Sequence, residues 1–344
     1  MAEERKNPIT RIVIKGFKSI KECDLDLKNI NVLIGANGAG KSNFISVFEL
    51  LDYVLANELP YYGNKKGADT IFHNGVKVTK SIKLETHYKW YCHSCELEMS
   101  DINSIFSIKN DMVSSKGFFG APSDFYEKHP WASYHFNDTG SSALLKMSSS
   151  LSNNVMLLPD ASNLSAFLFR LQKTCLDSYK RILKAIQRVA PYFMDFVLLP
   201  EIDNNEHVIL RWQEKGRKDV LSASQLSDGT LRFICLATLL LQPEELQPPL
   251  IIIDEPELGL HPYAMTIFAE LVKKAAAKKQ IILATQSTEL LDNFNAEDVI
   301  VVDKTADGSE FKRLDAKKLS AWLEDDYSLG ELWNKNLFGG RVTR

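Results

Sequence analysis

The stretch Asn31-Val-Leu-Ile-Gly35-Ala-Asn37-Gly38-Ala-Gly40-Lys41-Ser42-Asn43 decides the fold. Ile30 to Ile34 is largely apolar and reads as a short buried strand. After the loop, Phe44, Ile45, Val47, Phe48, Leu50, Leu51 and Val54 recur at helical spacing. Between strand and helix stands Gly-x-x-x-x-Gly-Lys-Ser. Glycines let successive backbone N–H groups turn inward around an anion, and the helix N-terminus adds its own free N–H groups. In such a loop Lys41 reaches the β- and γ-phosphates of a nucleoside triphosphate, and the Ser42 hydroxyl holds Mg²⁺. An ordinary glycine turn requires neither the preceding strand nor the following helix.

The composition sets bounds. The chain has 344 residues, 45% of them hydrophobic and 25% charged, with a formal net charge of -3. That supports a sizeable core in one large domain or two. It does not announce a nucleic-acid binder, which would need a local basic patch. Five cysteines, an odd number, argue against a disulfide framework and for a reducing compartment. The first residues lack the apolar run of a signal peptide, and no stretch approaches about 18 uncharged apolar residues. A cytoplasmic location and no membrane partner are therefore expected.

Upstream of the loop, Arg11–Phe17 and Cys23–Leu27 alternate with period two and read as half-buried strands. The helix after the loop is expected to run to about Leu59-Pro60, with a polar break from Tyr61 to Asp69. Ser81–Tyr88, Trp90–Met99 and Ser104–Lys109 read as antiparallel strands, and 110–160 as loops and irregular strands. Cys92-His93-Ser94-Cys95 raises the question of zinc. Only one Cys-x-x-Cys pair exists, the next cysteine is Cys175, and the spacing of His73 and His87 is not diagnostic. On a straight strand the two thiols fall on opposite faces, so plain strand residues are expected. Asn163 to about Ala190 reads as one helix stopped by Pro191. The stretch 61–220 is thus expected to be an inserted strand-rich and helical lobe between core halves 1–60 and 221–344.

The second half carries three more segments. Leu226-Ser227-Asp228-Gly229 precedes an apolar helix and offers a hydroxyl and free N–H groups. Ile251-Ile-Ile-Asp254-Glu255-Pro256 is an apolar strand ending in two carboxylates, placed where ligands of open α/β sheets bind. There Asp254 is expected to hold Mg²⁺ and Glu255 to polarise a water. Gln280–Ser287 is another buried strand with a polar end, at which Gln286 can bond a γ-phosphate or the attacking water.

The ordered set Gly35–Ser42, Leu226–Gly229, Ile251–Pro256 and Ala284-Thr-Gln-Ser287, with the opening Ile14-Lys-Gly-Phe-Lys-Ser-Ile20, resembles the ABC-type ATPase heads of the SMC, RecF and OLD group. More closely it resembles small prokaryotic AAA-family ATPases that carry such a head without a long coiled coil. The resemblance implies an α/β P-loop fold with a mixed sheet, N-terminal antiparallel strands and an inserted region. It implies ATP and Mg²⁺ as cofactors. Gly35, Asn37, Gly38, Gly40, Lys41, Ser42 and Asn43 then bind nucleotide, and Ser227 and Gly229 bind the γ-phosphate held by the opposite protomer. Ser42 and Asp254 hold the metal, while Glu255, Lys41 and Gln286 carry catalysis. The Gly259–Pro262 turn corresponds to the loop that couples two sites across a dimer. Three departures stand out. Asp228 replaces a common glycine, Gln286 replaces a common histidine, and no glutamine that senses Mg²⁺ can be placed, although the strands after Thr70 should supply it.

The expected activity is Mg-dependent ATP hydrolysis coupled to an ATP-dependent homodimer. Two readings of its use stay open. One is action on DNA in repair or in defence against foreign DNA, carried by the resemblance alone. The other is a nucleotide-gated module that controls a partner nuclease or toxin. A transporter head fits the strand-rich start poorly, and a kinase fits the Asp254-Glu255 pair poorly.

Overall fold

The computed structural model describes residues 8–100, 105–115, 131–319 and 327–340. Strands β1 (Arg11–Phe17) and β2 (Ile20–Asp26) form a hairpin, and β3 (Ile30–Ile34) leads into the loop and helix α1 (Lys41–Leu55). Helix α1 stops earlier than its apolar pattern suggests. Asn57 takes a left-handed φ of 57°, with Asn57 N–H and Glu58 N–H donating back to Val54 O and Tyr53 O. This is a helix-ending turn that asparagine tolerates. The chain then restarts as α2 (Leu59–Lys66), with Pro60 in its first turn, and α3 (Ala68–Ile71). The polar break expected after Tyr61 is therefore helical, held by buried Leu59 and Tyr62.

Strands β4 (Ser81–His87), β5 (Tyr91–Met99) and β6 (Phe106–Ser115) join the hairpin in an antiparallel sheet ordered β2-β1-β4-β5-β6. Ser104 lies outside the described residues. Strand β7 (Trp131–Tyr134) belongs elsewhere, as shown below. Next come β8 (Ser149–Ser150), α4 (Leu164–Thr174), α5 (Leu176–Val189), β9 (Phe193–Phe196), β10 (His207–Val208), β11 (Arg211–Glu214) and β12 (Val220–Ser222). The expected single helix over 163–190 is two helices broken at Cys175. Leu164, Phe167, Leu168, Leu171, Tyr179, Ile182 and Ile186 are all buried. Their stripe runs in phase through the break, so periodicity gives no sign of it.

Helix α6 (Asp228–Leu241) is followed by β13 (Leu250–Asp254), α7 (Pro262–Ala276), β14 (Gln280–Thr285), α8 (Thr288–Leu291), β15 (Val299–Thr305), β16 (Gly308–Arg313) and α9 (Leu329–Asn334). The central sheet runs β16-β15-β3-β14-β13-β7, parallel except for β16. Its strands are buried on both faces, which is why they read as continuous apolar runs. Ile251 and Ile253 enter one core with α4–α7, while Leu250 and Ile252 enter the other with Phe44 and Phe48 of α1 and the antiparallel sheet. Strand β7, from the stretch read as an insertion, forms the sheet edge beside β13, and Trp131 Nε1 donates to Phe48 O at 3.1 Å. The parallel order sends the C-terminal ends of β3, β14, β13 and β7 to the same edge, where the polar residues lie.

Candidate nucleotide-binding site

Helix α1 begins at Lys41, directly after Gly40 at φ 120°. A Cβ on Gly40 would come within 2.1 Å of Ser309 Oγ, so only glycine fits between the loop and β16. Ser309 Oγ donates to Ala39 O at 2.6 Å, which pins the loop from below. Lys41 is buried, and its ammonium curls back to donate to Gly35 O at 2.6 Å and Ala36 O at 3.1 Å. Burial lowers its pKa, opposed by the carboxylates of Asp254, Glu255 and Glu257. Asn37 and Gly38 are exposed at the loop's crown. Asn43 donates to Ser19 Oγ at 2.7 Å, tying α1 to the β1–β2 turn.

Register brings the other side together. Leu283 and Ala284 of β14 pair with Val32 and Leu33 of β3, while Ala284 also faces Asp254 of β13. Ser42 Oγ therefore lies 3.2 Å from Asp254 Oδ2, to which it donates. Burial raises the Asp254 pKa, opposed first by His135 and then by the Ser42 bond and Lys41. The second carboxylate oxygen, Oδ1, is buried and has no hydrogen-bond partner among the described residues. A buried orphan oxygen is costly. A carboxylate and a hydroxyl converging in this way suit a hard divalent cation such as Mg²⁺. Glu255 follows at φ 49°, a left-handed backbone that strains a non-glycine residue, with its N–H donating to Ala284 O at 2.8 Å. Gln286 closes β14, and its N–H donates to Glu257 Oε1 at 3.0 Å.

Three residues that the sequence reading did not single out join this edge. The β7–β13 register pairs Tyr134 with Ile253, so His135 follows beside Asp254, with Nδ1 3.9 Å from Oδ2. His135 thus stands at the corner formed by Ser42 and Asp254. Unlike Asp254 and Gln286, it does not follow an apolar run, since β7 reads Trp131-Ala-Ser-Tyr134. Glu257 is pushed above the ordinary glutamate range by burial, and its Oε2 has no hydrogen-bond partner among the described residues. Arg232 of α6 is buried, and its guanidinium donates to Phe136 O (2.8 Å), Asn137 O (3.1 Å) and Leu258 O. One side chain thus ties α6 to the segment after β7 and to the turn after β13.

Ser227 and Gly229 sit apart. Ser227 is exposed and caps α6, its Oγ accepting from Thr230 N–H at 3.1 Å. Among the described residues no hydrogen bond or ion pair joins Ser227 to Lys41, Ser42 or Asp254. A Cβ on Gly229 would come within 2.1 Å of Gly259 O, so the start of α6 packs against the turn after β13. Asp228 is exposed and forms an ion pair with Lys146 at 3.7 Å.

A family model described as "AAA domain, putative AbiEii toxin, Type IV TA system" matches residues 100–292, more than half of the chain. The chain belongs to this AAA-domain family. A second model, "AAA ATPase domain", matches residues 8–116 of this AAA-domain chain. Among curated proteins, the DNA replication and repair protein RecF of Vibrio campbellii is 43% identical over 47 residues, 13% of each chain. The tungstate uptake ATP-binding protein TupC of Campylobacter jejuni is 40% identical over 52 residues, 15% of this chain and 16% of its own length. The match thus spans under a fifth of these relatives. Among solved structures, an SMC head bound to the C-terminal winged-helix domain of ScpA has a TM-score of 0.57 at 16% identity, covering 91% of this chain and 99% of that one. An SMC head with an extended coiled coil, bound to the C-terminal domain of ScpA from Pyrococcus furiosus, has a TM-score of 0.53 at 14% identity, covering 93% and 99%. These likenesses show the fold, an ABC-type P-loop ATPase head of the SMC kind. Among the described residues the longest helices, α1 and α7, run 15 residues, so no long coiled coil issues from this one. No helix among them is long and apolar enough to cross a membrane.

Proposed function

We propose that this AAA-domain ATPase hydrolyses ATP in a site shared by two copies of the chain. The observation that carries this reading is the edge where Ser42 and His135 converge on Asp254 while Ser227, exposed at the start of α6, stays apart. Lys41 exchanges the carbonyls of Gly35 and Ala36 for the β- and γ-phosphates, while the backbone of 35–42 wraps the β-phosphate. Ser42 and Asp254 would hold Mg²⁺, which would supply positive charge against the phosphates. Glu255 accepts the proton of a water aimed in line at the γ-phosphorus, and Gln286 orients that water. Ser227 and the N–H groups of α6 reach the γ-phosphate on the opposite copy, so ATP joins two heads and hydrolysis parts them.

Sizing the Glu255→Gln protein with and without ATP and Mg²⁺ tests the reading, with turnover of the unaltered protein measured alongside. The expected result is an ATP-dependent dimer and a turnover lower by ~10²- to 10⁴-fold. A monomer in both conditions overturns it.

We assign the output of this cycle to DNA, in repair or in defence against foreign DNA, supported by the short likeness to RecF, whose name places it in DNA replication and repair. Salt-sensitive DNA binding and DNA-stimulated turnover are expected. The family description, which names a putative toxin, favours a second reading, a nucleotide-gated hold on a partner nuclease or toxin. A partner retained by the Glu255→Gln protein, with no effect of DNA on turnover, would select it.

A further inference from the structure

We propose that the β4–β5 hairpin of the antiparallel sheet carries a zinc site formed by Glu85, His87 and Cys92. The three ligand atoms lie within 4.8 Å of one another. Their assembly follows from sheet geometry. Residues i and i+2 of a strand share a face, and directly paired residues on neighbouring strands share it too. Glu85 and His87 are two apart on β4, and His87 pairs with Cys92 on β5. The same rule removes Cys95. Strand β5 is straight through both thiols, and Cys95 turns to the other face, into the core with Leu84 and Leu97. The Cys-x-x-Cys pair is therefore not a ligand pair, and one of its members acquires partners from the adjacent strand.

The spacing suits a tetrahedral ion. Zn–S near 2.3 Å and Zn–N near 2.0 Å at a tetrahedral angle place sulfur and nitrogen about 3.5 Å apart. Cys92 Sγ and His87 Nε2 are 3.7 Å apart. Zinc bound by oxygen and nitrogen separates them by about 3.3 Å, whereas Glu85 Oε2 lies 2.8 Å from His87 Nε2. A shift of Glu85 by roughly half an ångström converts that hydrogen bond into shared ligation. Its side chain is 42% exposed and has room to make the shift. The other two ligands are fixed. Cys92 is buried. The backbone of His87 is pinned where its carbonyl accepts from Thr10 N–H (2.7 Å) and Thr10 Oγ1 (3.0 Å).

The donor set selects the metal. Thiolate with imidazole favours zinc over the hard cations Mg²⁺ and Ca²⁺, which take oxygen ligands. Binding releases the Cys92 thiol proton to solvent and leaves His87 neutral, so charge and protons balance. Three protein ligands leave the fourth tetrahedral position for water. Because His87 also anchors the entry to β1 through Thr10, a bound ion locks the hairpin and the first strand together. This zinc site is separate from the Asp254 corner.

The full-length protein, stripped of metal and kept reduced, tests the proposal by zinc titration against a metallochromic dye and by cobalt absorption. One zinc per chain is expected, with a near-ultraviolet thiolate-to-cobalt band and a thermal midpoint that rises with zinc. Cys92→Ser and His87→Ala each weaken zinc by about 100-fold or more, and Glu85→Gln by about tenfold. Cys95→Ser keeps the wild-type affinity, and Asp254→Asn keeps the cobalt band, separating this site from the nucleotide edge. Circular dichroism of each variant shows that it folds, and ATP binding adds a second check for the hairpin variants. A substoichiometric or adventitious zinc content overturns the proposal, as does a thiolate–cobalt band that persists in folded Cys92→Ser.

Discussion

The two halves of the nucleotide edge are built differently. On one side Ser42 donates to Asp254, His135 stands 3.9 Å from the same carboxylate and Lys41 bonds the loop carbonyls beside them, brought there by strands that pair in register. On the other, Ser227 is exposed and, among the described residues, its hydroxyl bonds only Thr230 of its own helix. The first half has a buried carboxylate oxygen that bonds nothing among the described residues; the second has a satisfied cap facing solvent. In the proposed shared site, the contrast separates what one chain completes from what it offers to another. Sheet register, fixed by burial on both faces, positions Ser42, Asp254 and His135 tightly. A helix start projecting from the surface is suited to meet a phosphate held elsewhere.

The largest expected effects break that contrast directly. Lys41→Ala removes the cation of the complete half. Two charge-assisted phosphate bonds at roughly 1.5 kcal/mol each imply an ATP affinity lower by ~100-fold or more, measured with a fluorescent nucleotide. Ser227→Arg is expected to leave ATP binding by a single head within ~2-fold while abolishing ATP-dependent dimerisation and lowering turnover by ~100-fold or more. Weakened binding in the monomeric Ser227 variant would place that residue in the complete half and end the division.

How much of this was legible follows from what each element depends on. The loop strand, β13 and β14 read correctly because parallel strands buried on both faces leave apolar runs ended by polar residues. Strand β7 did not, because Trp131-Ala-Ser-Tyr134 contains no such run and earns its place through pairing with β13. His135 was missed for the same reason. A lone histidine after four residues acquires meaning only when register sets it beside Asp254. Arg232 resembles a charged residue on any helix, and its burial depends on three carbonyls from two distant segments. The break at Cys175 is hidden by a stripe that stays in phase. The split of Cys92 from Cys95, in contrast, follows from period two alone, whereas the partners of Cys92 on β4 require the register.

Arg232 gives a sharper, intermediate test, since its guanidinium joins α6 to the segment after β7 and to the turn after β13. Lysine keeps the charge but not the planar fork that serves carbonyls in different directions. Arg232→Lys is expected to cost about 1–3 kcal/mol of stability, because buried carbonyls lose their donors. Turnover should fall about tenfold, with ATP affinity within ~3-fold, since the complete half is left intact. Urea unfolding and steady-state kinetics read the two effects. Equal losses in affinity and turnover would mean that the arginine shapes the nucleotide half itself rather than linking it to α6.

The smallest effect concerns Glu257, which supports Gln286 from within the complete half. Burial raises its pKa, with the bonds from Gln286 N–H and Thr285 pulling it back, and its Oε2 has no hydrogen-bond partner among the described residues. A carboxyl whose folded-state pKa is raised contributes stability below the unfolded pKa of about 4.3, and loses it as pH rises through the folded value. Glutamine keeps an acceptor for Gln286 N–H and does not titrate. The Glu257→Gln protein, free of nucleotide, should therefore match the unaltered protein near pH 4 and exceed it by roughly 1–2 kcal/mol at pH 8. Taking the difference between the two proteins cancels the titration of Asp254, which remains in both. Urea midpoints across that range measure the gap. A gap that is flat, or that widens toward acid, would show that the carboxylate is charged and well served in the folded head. Glu257 would then belong with the satisfied groups rather than beside the orphaned oxygen of Asp254.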